Sequence, residues 1–174
     1  NHQEKVKSLV LFNPLTSNTF TTGQLGSFLR LRKAAPGFSK TIYKGLGRLR
    51  LNKLISEQSL QMQFGSIGKA KKLYKTENLC ACFTREGQMN SLLLTLDDLV
   101  NYEIFDKFTP TKDFPPIFTI WGLENKILSA KAGQQLNTTL KPKREEWIAG
   151  GGHLVMLEKP IEIAEAIREF LTLT

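Results

Sequence analysis

The sequence predicts an α/β fold, with short buried strands in a parallel sheet and helices between them. Three observations carry this prediction. Short apolar runs at residues 6–12, 116–121 and 146–149 each stop at a turn signal or a glycine, as strands covered on both faces do. Helical patterns follow the second and third runs, at residues 130–140 and from Pro160 to the C-terminus, which argues for crossover connections. The third run enters Gly150-Gly151-Gly152-His153, where glycines let the backbone take φ > 0 or pass close to another segment before a functional side chain. From these residues alone, a Gly-rich turn beside a surface histidine is an equally good reading.

Length and composition set the bounds. At 174 residues and 19.7 kDa the chain has the size of one domain and can bury a sizeable core. An apolar fraction of 41% with 23% charged residues is ordinary globular composition. No apolar run approaches the roughly 18 residues of a membrane span, and the N-terminus, NHQEKVKS, lacks a signal-peptide layout. A cytoplasmic, soluble chain is expected. Cys80 and Cys82 are its two cysteines; a disulfide across one residue is strained and a metal site wants more ligands, so both read as buried, reduced thiols.

The net charge of +8 is unevenly spread. Between Gly26 and Ser56 stand Arg30, Arg32, Lys33, Lys40, Lys44, Arg48, Arg50 and Lys53 with no acidic residue. Such a segment is either a solvated helical face or a surface for phosphates, anionic lipid or nucleic acid.

In chain order, Lys5 to Phe12 passes from alternation into a continuous apolar run that ends at Asn13-Pro14, the pattern of a strand buried on both faces. Leu46, Leu49, Leu51 and Leu54 suggest an amphipathic helix. Gly65-Ser66-Ile67-Gly68 reads as a helix break before a lysine-rich helix. From Leu92 to Phe108 a helix is expected, with Thr95 as N-cap and Val100, Ile104 and Phe108 at helical spacing. Ile117 to Trp121 forms the second strand, residues 130–140 a helix, and residues 145–148 the third strand. Pro160 opens the last helix, on which Ile163, Ile167, Phe170 and Leu171 make an apolar stripe.

Three strand ends now stand in order: Asn13-Pro14, Trp121-Gly122-Leu123-Glu124-Asn125, and Gly152-His153, the last followed by Glu158-Lys159-Pro160. Their order and spacing resemble the C-terminal half of the α/β-hydrolase fold family, in its group of capped esterases and lipases. The resemblance is strong over residues 115–174, moderate over 5–14 and slight between. It implies a partial α/β-hydrolase fold, with residues 1–14 and 113–174 forming the C-terminal part of the core and 15–112 an inserted helical cap. It further implies a serine hydrolase acting on a carboxylic ester or related acyl substrate, with His153 as general base and no cofactor. A serine hydroxyl needs an imidazole to take its proton, and the imidazole needs a carboxylate to fix its tautomer and stabilise its cation.

Two departures stand beside this match. The acid position of the family falls on Asn125, which can orient a histidine but carries no charge; Glu124 next to it is a substitute only if the loop is shifted. Asp97, Asp98 and Asp106 are remote candidates. The nucleophile elbow, G-x-S-x-G between a strand and a helix, is missing: the nearest string, Gln63-Phe64-Gly65-Ser66-Ile67-Gly68, has its glycine one place late and follows no strand. Residues 1–4 read as the tail of the helix after the absent serine. The expected partners are therefore the acyl substrate and a missing N-terminal half, in cis or as a complementary piece, which would cover an open sheet edge. Against this stands a non-catalytic relative that binds an acidic partner, anionic lipid or nucleic acid, through the basic cap.

Overall fold

A computed structural model describes residues 5–22, 52–75 and 102–174, with a few single positions between them. The cysteines Cys80 and Cys82, Val100, Asp97 and nearly all of the basic run lie outside the described residues. At its centre is a parallel sheet of three strands in the order β1 (Leu9–Phe12), β2 (Ile117–Gly122), β3 (Arg144–Ile148). Leu9 pairs with Ile117 and Phe12 with Ile120; Phe118 pairs with Arg144 and Gly122 with Ile148. Parallel pairing needs a crossover, and between β2 and β3 that crossover is a helix over Ala130–Leu140.

Alternation along β2 divides the core. Phe118 and Ile120 face the C-terminal helix (Pro160–Thr172), where they meet Ile163 and Phe170, with Val155 from the segment just before that helix completing the cluster. Ile117 and Trp121 face the other way, against Leu136 and Leu140 of the crossover helix. Every residue of β2 is buried. At about 25 cal/mol per Å² of apolar surface removed from water, this two-sided layer is the main stabilising term.

The crossover helix starts where Ser129 Oγ accepts from Ala132 N at 3.2 Å and stops at Lys141 in the left-handed region. In the C-terminal helix Pro160 occupies the first turn, where its missing N–H costs nothing. Of the expected stripe, Ile163 and Phe170 are buried and Ile167 packs beside them, but Leu171 is 53% exposed. Residues 163, 167 and 170 follow one helical face, and residue 171 lies past its edge.

Two other expectations are corrected. All four residues of β1 are half-buried rather than buried, because among the described residues β1 has β2 as its one neighbouring strand. They do contact both layers, Val10 and Phe12 on one face and Leu9 and Leu11 on the other. Thr95 does not cap a helix; its hydroxyl donates to Ser91 O, four residues back, as a threonine within a helix does. Of the helix expected over residues 92–108, Leu94 and Thr95 are helical and a short turn of helix stands at Glu103–Asp106, on which Ile104 is exposed.

The remaining described helices are α1 (Ser17–Thr21), α2 (Asn52–Gln63), α3 (Ser66–Ala70) and a 3₁₀ turn at Leu73–Lys75. The helix expected from Leu46 is described only from Asn52. A short helix, Val155–Glu158, joins the glycine loop to the C-terminal helix. Among the described residues, no helix is long and apolar enough to cross a membrane.

Candidate active site at the strand ends

Parallel strands bring their C-terminal ends to one edge of the sheet. Asn13 follows β1 with φ of 42°, a conformation that asparagine tolerates better than most residues. Its Oδ1 accepts from Gly122 N at 3.1 Å, and its Nδ2 donates to His153 O at 2.8 Å and Gly152 O at 3.4 Å. One buried side chain thus ties the ends of β1 and β2 to the loop after β3.

That loop depends on its glycines. Gly150 sits at φ of 74°, where a Cβ is strained. A Cβ on Gly152 would lie 2.3 Å from Gly65 N, so the two backbones touch without side chains between them. Hydrogen bonds line this contact: His153 N donates to Gln63 O at 2.7 Å and Ile67 N to Gly150 O at 3.2 Å. Glu158 lies beneath it with no exposed surface. Its Oε1 accepts from Gly65 N and Gly68 N, both at 2.9 Å, and its Oε2 from Gly152 N at 2.5 Å.

The ring of His153 faces Asn125, with Nδ1 at 3.4 Å from the side-chain nitrogen. Asn125 Oδ1 accepts from Ile127 N and Leu128 N, both at 3.0 Å. These two N–H groups assign the oxygen, so the amide turns its NH₂ toward the ring. A donor opposite Nδ1 requires a lone pair there and leaves the ring proton on Nε2. A carboxylate at this position would impose the reverse, accepting from Nδ1–H and freeing Nε2 to act as a base. Burial also pushes the His153 pKa below its ordinary value, because the charged ring loses solvation.

The other candidates are engaged elsewhere. Glu124 accepts from Ser66 N at 2.7 Å and from Ser66 Oγ at 2.9 Å, so its carboxylate serves Ser66 and not His153. Ser66 itself opens a five-residue helix that follows α2 and no strand. Asp106 accepts from Asn18 N at 3.0 Å, and Asp98 is exposed. Asn13 and Glu158 had no assigned role in the sequence reading. Their signals in the sequence are faint: an asparagine that closes an apolar run before Pro14, and an acid before Lys159-Pro160.

An open depression of about 470 Å³ lies beside Asn125, lined by Lys69, Glu124 and Lys126 among others but not by His153. Among the described residues, no group of three or more His, Cys, Asp and Glu side chains is placed to hold a metal ion.

No family model matches the chain, and no curated protein does. Solved structures do. A thermophilic esterase matches with a TM-score of 0.55 and 22% identity over 94% of this chain and 56% of its own. An α/β hydrolase from a sediment metagenome of the Mar Chica lagoon, Morocco, matches with a TM-score of 0.43 and 16% identity over 59% of this chain and 43% of its own. The chain thus spans just over half the length of the esterase it matches. A parallel sheet flanked by helices, together with the esterase likeness, gives the chain a partial α/β-hydrolase fold.

Proposed function

We propose that this chain is the C-terminal portion of an α/β-hydrolase-fold serine hydrolase that acts on a carboxylic ester or related acyl substrate. His153 is its general base, and the nucleophile belongs to a part of the protein outside this chain. The observation that carries the reading is the placement of His153 Nδ1 at 3.4 Å from Asn125, where a loop after β3 meets a loop after β2. In the reaction the serine Oγ attacks the ester carbonyl while Nε2 takes its proton. The imidazolium then returns that proton to the leaving alcohol, and water repeats the cycle on the acyl-enzyme. The ring must present a bare Nε2 for this. Asn125 favours the opposite tautomer, so the wild-type protein is a slow hydrolase working through its minor tautomer.

On this reading the insertion between β1 and β2, residues 15–112, serves as the cap that holds the acyl group. The missing half pairs with the outer edge of β1, which has β2 as its neighbour on the other side. In the complete native polypeptide, hydrolysis of a nitrophenyl ester of a short fatty acid is expected to be slow. It should be lost in His153→Ala and raised in Asn125→Asp. Silence of both the wild type and Asn125→Asp would remove the hydrolase reading.

The NH₂ of Asn125 facing Nδ1 also favours a second reading, a non-catalytic relative that binds anionic lipid or nucleic acid through its basic cap. That reading predicts binding that weakens steeply with salt.

A further inference from the structure

We propose that Glu158 is a positioning residue, whose one buried carboxylate clamps the Gly65–Gly68 segment to the loop that carries His153, so that the two move as a unit. This rests on the hydrolase reading for its effect on rate, but not for the clamp itself. A fully buried carboxylate is costly unless its oxygens are hydrogen-bonded. Here the donors come from two distant stretches: Gly65 N and Gly68 N lie 93 and 90 residues upstream, and Gly152 N lies six residues upstream. The clamp sits between two further backbone links across the same seam, Ile67 N to Gly150 O and His153 N to Gln63 O. Leu154 N also donates to Gln63 O, at 3.2 Å, and Lys71 Nζ adds a side-chain tie, to Glu158 O at 2.9 Å.

The chemistry requires a carboxylate. Both of its oxygens are pure acceptors, whereas a glutamine would turn an NH₂ against at least one of the N–H groups. Gly152 is adjacent to His153, so any shift of its N–H is passed to the imidazole. A displacement of about 1 Å at a reacting group can lower a rate about a hundredfold.

The test is made in the complete native polypeptide. In the wild type, the amides of Gly65, Gly68 and Gly152 should exchange with solvent at protection factors within about threefold of one another, because one opening event releases all three. In Glu158→Gln, exchange at residues 63–68 and 150–153 should rise together by about tenfold or more, while β2 is unchanged. On the nitrophenyl ester, kcat should fall by about tenfold or more with KM within about twofold. Unrelated protection factors in the wild type, faster exchange in only one segment, or equal acceleration throughout β2 would each overturn the clamp. Unchanged kcat in an active protein would overturn the positioning role. If Glu158→Gln does not fold, the wild-type protection factors decide. If the wild type has no esterase activity, the functional reading fails and the exchange data still decide the clamp.

Discussion

The main chain around His153 donates to Gln63 O and accepts from Asn13, and its neighbour Gly152 donates to Glu158. The ring of the same residue has, among the described residues, one side-chain hydrogen-bond partner, an amide at 3.4 Å. Position and polarity are therefore set by different groups. Asparagine has nearly the shape of aspartate, so it keeps the loop geometry, with Oδ1 still accepting from Ile127 N and Leu128 N. The second arm of the side chain changes from acceptor to donor, and with it the proton on the ring changes nitrogen. On the proposed hydrolase reading, the site is thus organised in space while the hydrogen bond that would fit the ring for catalysis is reversed.

The sharpest way to break this contrast is Asn125→Asp. In serine proteases, replacing the acid by its amide lowers kcat by about 10⁴, so the reverse change should raise kcat/KM on the nitrophenyl ester by about 10² to 10⁴. The acid limb of the pH–rate profile should also move upward, because a carboxylate beside the ring stabilises the imidazolium.

The positional half is tested at Asn13. Asn13→Gly keeps the left-handed backbone but removes the side-chain bonds to Gly122, Gly152 and His153. It should cost about 3 kcal/mol in chemical denaturation, since buried partners are left unpaired. A smaller effect follows at the backbone contact: Gly152→Ala places a Cβ 2.3 Å from Gly65 N and should destabilise by about 2 kcal/mol, with faster amide exchange at residues 63–67.

The smallest effect is on pH dependence. The folded-state pKa of His153 lies below its ordinary value of 6.5, so the folded chain binds fewer protons than the unfolded chain below that pH. This contribution is therefore intact above about pH 6.5 and is lost as pH falls from there toward the folded pKa. His153→Gln should flatten that part of the stability curve, measured by urea unfolding at a series of pH values.

Much of the fold was legible because it is written in local pattern. The continuous apolar run of β2, the helical pattern over residues 130–140 and Pro160 before Ile163 each carry their own signal. Residues 125 and 153 were legible as strand-end positions for the same reason. What was not legible depends on distant partners. Glu158 and Asn13 act on residues about 90 to 140 positions away, and no spacing rule reports that. The half-burial of β1 goes with its having, among the described residues, one neighbouring strand, which its apolar run does not record. The sequence does name Asn125, but the direction of its amide is set by the N–H groups of residues 127 and 128.

The most direct test is nitrogen NMR of His153 in the labelled native protein near neutral pH, read from the two ring-nitrogen shifts. The wild type should carry its proton on Nε2 and leave Nδ1 bare, and Asn125→Asp should reverse this. A wild-type ring protonated on Nδ1 would contradict the account, because the amide of Asn125 would then not face the ring as a donor.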